Sequence, residues 1–254
     1  MDIDSLGQIG SALAKARRAS RPSDIDLRSI GSLQDAQEVQ DAAVMSYGGV
    51  LRGYTLAATT ARTARLLNCP EPIIGKLFDE HIHDTGATFG IPYCFIGAGA
   101  QLIFMLALPL ASPVTLDAVS NAVVSCHVGI QLLGRRVPCG ALLNEWLATA
   151  DFGLDVGCVR GPPIENWDGI DWNDVGASLQ LNGNLVVSGS AAEVFGNPIA
   201  AMLWLTHALD ARGSTLQAGD IVATGSCTGL AQVAPGQRVR AAFGHHGHVE
   251  LDLV

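Results

Sequence analysis

The chain has 254 residues, with 15 Lys and Arg against 24 Asp and Glu for a formal net charge of −9, and only 15% of its residues are charged. No basic cluster occurs beyond Lys15-Ala-Arg17-Arg18, which excludes nucleic acid as a partner. A 48% hydrophobic chain this poor in charge implies a globular protein that hides surface in a homo-oligomer.

The opening "MDIDSLGQIG" is acidic where a signal peptide needs basic residues, and no apolar core follows, which predicts a cytoplasmic protein. Ser5–Arg21 has Leu6, Ile9, Leu13 and Ala16 at helical spacing, with Pro22 beyond its end; Arg17 and Arg18 are expected on its solvated face. Ser32–Ala43 reads as a second helix, with Ser32 as N-cap and Asp35 three residues on. Val50–Ala58 then reads as a strand and Thr60–Leu67 as a short helix.

From Thr85 to Leu116 there is no Asp, Glu, Lys or Arg, yet the run is no membrane span. Gly86, Gly90, Pro92, Gly97, Gly99, Pro109 and Pro113 break it, and its longest clean piece, Leu102–Leu108, is far short of the ~20 residues a spanning helix needs. Buried strands joined by turns are expected, with Gln101 as the one strongly polar side chain of "IGAGAQLIFMLALPL". A helix-like stretch from Ser112 through Val124 follows, then strand-like "HVGIQLL" and "NLVVSG". "GNPIAAMLWLTHALDARG" is a strong helix, with Pro198 in its first turn and Gly213 at its end. "AGDIVATGS" and "QRVRAAFGHHGHVELDLV" read as strands. Helices in front and strands behind give an α+β class. The six cysteines form no CxxC pair, so zinc ribbons and disulfide scaffolds are not expected, and buried free thiols are.

Several of these stretches fall in a recognisable order. "LNGNLVVSGSAAEVFGNPIAAMLWLTHALDARGSTLQAGDIVATGSCTG", "LQDAQEVQDA", "RGYTLAAT" and "EPIIGKLFDE" together resemble the 2-keto-4-pentenoate hydratase / 4-oxalocrotonate decarboxylase group of the fumarylacetoacetate hydrolase superfamily, over roughly residues 5–254. The resemblance implies a mixed β-sheet, partial-barrel core with peripheral helices. Residues 1–50 form an N-terminal helical segment and 51–254 the catalytic domain, in one continuous unit. It also implies a small 2-oxo acid substrate.

In that group a divalent metal is held by three carboxylates, two in a Glu-x-Glu strand and one in a later strand. Aligned on Phe104, those positions are Gly99 and Gln101, and the third falls at Gly129; the group's lysine is Thr55. All four are neutral, so the expectation is a metal-independent enzyme with no cofactor and a relatively apolar carbonyl substrate. Mg²⁺ or Mn²⁺ would enter only if His81, His83 and Asp84 supplied unusual ligands.

Acid–base chemistry would then fall to His81 and His83 in "FDEHIHDTG", oriented by Asp79 or Glu80, or to His127 beside Gly129. A solvated charged lid and a hydrogen-bonded core histidine are the competing readings. Asp151 matches a turn near the group's pocket, and Ser226 and Thr228 match a glycine-rich turn that holds the substrate carboxylate. His245, His246 and His248 form either a metal tract or a solvated turn, and Cys227 lacks a visible base. Three functions stay open: a metal-independent lyase, a conventional hydratase with unusual ligands, or a non-catalytic subunit.

Overall fold

The computed structural model describes residues 3–254; Met1 and Asp2, the first residues of the expected helical segment, lie outside it. Two helices open the fold, α1 (Ile3–Arg18) and α2 (Leu33–Tyr47). Ser32 caps α2 by accepting from the Asp35 N–H, and Gly48 ends it at a φ of 69°, a left-handed conformation that costs glycine nothing. Strand β1 (Leu51–Ala57) leads to α3 (Ala61–Leu67), which Thr60 and Thr63 start with a reciprocal capping box. Strands β2 (Ile73–Phe78), β3 (Ile82–Asp84), β4 (Ala87–Phe89) and β5 (Phe95–Leu106) follow.

Next come α4 (Leu116–Ala122), β6 (Val123–Gly134), α5 (Glu145–Ala150) and β7 (Asp155–Pro163). The remainder is β8 (Gly176–Leu181), β9 (Asn184–Ser190), α6 (Pro198–Asp210), β10 (Ile221–Ser226), β11 (Arg238–Ala242) and β12 (His248–Leu253). Asn197 caps α6 through the Ile199 N–H, with Pro198 in its first turn.

The strands form a seven-stranded sheet in the order β2-β1-β10-β5-β6-β7-β3 and a five-stranded sheet in the order β4-β12-β11-β8-β9. The first curls into a half-barrel, giving the α+β, partial-barrel architecture expected. Its spine is the antiparallel pair β5/β6, in which Gln101 lies opposite Gly129 and Gly99 opposite Gln131. Because side chains alternate along a strand, β5 divides into two faces. Ala98, Ala100, Leu102 and Phe104 join the large core shared with the second sheet, where Val239, Phe243 and Leu251 meet them. Ile103 turns the other way, into a cluster with Leu77, Cys158, Ile221 and Ala223 on the inner face of the curl. Gly99 and Gln101 share that inner face.

Helices α1 and α2 pack through Leu6, Ile9, Leu13 and Val39 against Phe78, Val137 and Phe152. Two expectations fail here. Arg17 is not solvated: it is 6% exposed and ion-paired to Asp155 across 2.8 Å. Nor are all cysteines free, since Cys94 and Cys139 form a disulfide; Cys69, Cys126, Cys158 and Cys227 are free and buried. Sequence spacing could not reveal that bridge, because the partners lie 45 residues apart on separate loops. No helix among the described residues is long and apolar enough to cross a membrane.

Candidate active site

The structure sorts the expected site residues into two places. Thr55, Gln101, Ser226 and Thr228 are buried together at the centre of the curled sheet, with Gly99 and Gly129 beside them. His81 and His83 line a separate cavity of about 190 Å³ whose walls include none of those six.

Gln101 is the singular residue of the inner face. It is 0% exposed, and neither its Oε1 nor its Nε2 has a hydrogen-bond partner among the described residues. Its neighbour Gln131 shows what a satisfied buried amide does: Nε2 donates to Leu56 O at 2.7 Å, and Oε1 accepts from the Ser226 N–H at 3.0 Å. Ser226 Oγ donates to Gly229 O within its own turn, and Thr228 Oγ1 accepts from the Ala100 N–H of β5, so both hydroxyls are engaged. Gln131 was overlooked in the sequence, although it carries the signal that singled out Gln101, a lone amide in an apolar strand.

Segment Phe152–Leu154 closes this inner face. A Cβ at Gly75 would lie within 2.4 Å of Phe152 O, so only glycine permits the approach. Phe152, Gly153 and Leu154 all have positive φ, of 53°, 67° and 64°, and two of the three are bulky residues that rarely adopt it.

In the second cavity, Arg17 Nη2 lies 2.7 Å from His81 Nδ1. A guanidinium can only donate, so Nδ1 is unprotonated and the His81 proton sits on Nε2, 3.4 Å from Tyr47 Oη. Burial, with Arg17 beside it, holds the His81 pKa down at about 3. Burial also lowers the pKa of His83, against the pull of Asp155 and Asp84, and its Nε2 is buried without a partner among the described residues. Asp79 lies outside on the surface, paired with Arg52 at 2.6 Å, and Glu80 is likewise exposed.

His127 is fully engaged. Nδ1–H donates to Gly161 O and Nε2 accepts from Ser125 Oγ, each at 3.0 Å. Asp151 is wholly buried, bonded to the Arg136 guanidinium and to the Val137 N–H. The Cys227 thiol is buried and pushed up to about 12.

Residues 114–254, more than half of the chain, match the family described as "Fumarylacetoacetate (FAA) hydrolase C-terminal". The chain belongs to this family. It is 29% identical over 219 residues to a 4-oxalocrotonate decarboxylase of Pseudomonas putida, covering 82% of this chain and 79% of that one. It is 25% identical over 256 residues to a 2-oxo-hept-4-ene-1,7-dioate hydratase of Escherichia coli, covering 94% and 93%. Its fold superposes with a TM-score of 0.91, at 19% identity and over 100% and 99% of the two chains, on 4-oxalocrotonate decarboxylase from Pseudomonas putida G7 complexed with magnesium and adipate.

That structure corrects one expectation. This scaffold carries a divalent ion in a solved relative, so a chain with no cofactor is not what the fold implies. The residues at hand do not fit such an ion at the inner face. No group of three His, Cys, Asp or Glu among the described residues is placed to hold a metal. A side chain at Gly99 would start 2.5 Å from Gly229 O, and one at Gly129 would start 2.7 Å from Ile103 Cδ1. His81, His83 and Asp84 do not converge either: Arg17 occupies the His81 Nδ1 lone pair, and Asp84 bonds to Arg160.

Proposed function

We propose that the chain is a lyase-type enzyme that acts on a small 2-oxo acid, with an oxygen of the substrate held by the Gln101 amide. The relatives named above, a decarboxylase and a hydratase, support the reaction class. The carrying observation is the orphaned amide itself. A buried amide without partners costs about 1–3 kcal/mol, and a fold retains such a group where a ligand completes it.

The chemistry follows from what the amide can and cannot do. Nε2–H donates to a keto oxygen and stabilises charge that develops there as an enolate forms, in surroundings made apolar by Leu77, Ile103 and Ile221. Oε1 accepts a hydrogen bond from an enol or acid hydroxyl. Nothing here is a strong base: Thr55, Ser226 and Thr228 are hydroxyls, and burial pushes the Cys158 thiol up. Decarboxylation suits such a face better than hydration. When the bond to a second carboxylate breaks, on a carbon conjugated with the 2-oxo group directly or through a C=C, its electron pair passes along that conjugation to the keto oxygen, which needs a hydrogen-bond donor but no base; carbon dioxide leaves, and water later returns a proton to carbon. Hydration needs a base to activate water, and His81 and His83 line a different cavity. No step is assigned to a metal, because the inner face does not supply its ligands.

The test is turnover of short unsaturated 2-oxo acids, with and without a second carboxylate and with and without added Mg²⁺ or Mn²⁺. Carbon dioxide release and loss of enol absorbance are followed. Release of carbon dioxide from at least one substrate is expected. An inert protein under every condition contradicts the proposal and favours a non-catalytic subunit.

A further inference from the structure

The 190 Å³ cavity lies between the last turn of α1, strands β3 and β4, and the residues that follow β6. Four arginines line it, Arg17, Arg21, Arg135 and Arg136. Asp155 neutralises Arg17 and Asp151 neutralises Arg136. Arg21 and Arg135 have no carboxylate partner among the described residues, so the cavity keeps two positive charges unmatched.

Three buried nitrogens on its walls lack a partner among the described residues: Arg17 Nε, Arg135 Nε and His83 Nε2. Other nitrogens of these two guanidinium groups are engaged. Arg17 donates to Asp155 and His81, and Arg135 Nη2 donates to Pro138 O and Ala141 O at 2.7 and 2.8 Å. A guanidinium cannot shed its proton, so a buried Nε–H finds relief only in an acceptor. A water accepts from at most two donors and leaves the charge unmatched. An oxyanion answers several donors together and matches the charge, and charged hydrogen bonds are roughly twice as strong as neutral ones.

We propose that this cavity binds a small oxyanion, a carboxylate or phosphate group, as a site separate from the one at Gln101. The anion sits where α1, the strand pair β3–β4 and the disulfide-linked loop of Cys94 meet, and holds the three together. Arg17 and Arg136 are fixed by their aspartates and shape the site, while Arg21 and Arg135 supply its affinity.

Calorimetric titration with inorganic phosphate and with succinate, at constant ionic strength and with chloride as control, tests this. Saturable binding of at least one is expected; the one that binds identifies a tetrahedral or a planar anion. Arg21→Glu, on the exposed rim, and Arg135→Gln should each weaken it at least tenfold, and the His83 ring signals should shift on titration. Gln101→Leu should bind the anion as the parent does, which separates this proposal from the lyase reading. No saturable binding beyond that of chloride, or unchanged affinity in Arg21→Glu, overturns it.

Discussion

A glycine in a strand gives up packing, so two of them facing a buried amide need a reason. At Gly99 the reason is backbone: a Cβ would press on Gly229 O at 2.5 Å, which cannot swing aside. At Gly129 the nearest atom is the end of a flexible side chain, Ile103 Cδ1 at 2.7 Å. Gly99→Ala should therefore cost about 1–3 kcal/mol, and Gly129→Ala clearly less. Equal losses in thermal denaturation would show that Ile103 is as immovable as the backbone. His81 gives a second prediction at this scale. Its folded pKa of about 3 lies below the ordinary 6.5, so the unfolded chain binds the proton first. Its contribution is intact above about pH 6.5 and declines as pH falls toward 3, by at most about 1.4 kcal/mol per unit. His81→Gln, which keeps an acceptor for Arg17, should flatten stability between pH 6.5 and 4; an unchanged slope would exclude His81 as the cause.

At the scale of elements, periodicity and caps were legible. Ser32, Thr60 and Pro198 mark helix starts in the letters as they do in the fold. Pairing was not, because it joins distant segments: β1 runs parallel to β10, and β3 parallel to β7. That distance is why Arg17 looked solvated. Helical spacing sets it at the edge of the apolar stripe, four residues past Leu13; its charge alone argues for solvent, and nothing local says that Asp155 waits 138 residues on. Likewise, residue types brought His81, His83 and Gln101 together in one imagined site, while strand geometry turns them to different spaces. Helix α2 has its own test. Gln40 reaches Ile74 O and Thr149 O with one Nε2, tying the helix to β2 and α5. Gln40→Leu strands both carbonyls and should cost about 2 kcal/mol or more by denaturant unfolding; a neutral result would show that the strand and the two helices are held by packing alone.

Across the whole molecule, the helical N-terminal segment is bolted to the half-barrel by buried charge. Arg17 meets Asp155 beside the pair Arg136–Asp151, all of them at most 6% exposed. Burial raises the Asp155 pKa, and the two arginines oppose that rise. Such pairs add little over an apolar contact, but removing one partner strands the other. Asp155→Ala should cost about 3–5 kcal/mol and release α1 to early proteolysis. Intact α1 with full stability would mean that the helix needs no ionic anchor.

The central claim is that Gln101 is kept for a ligand at the expense of the fold. Gln101→Leu preserves the shape and removes two unsatisfied polar atoms. Paired measurement of unfolding free energy and kcat/KM should show a gain of about 1–3 kcal/mol together with at least a tenfold loss of turnover. A stabilised variant with undiminished turnover would contradict the account.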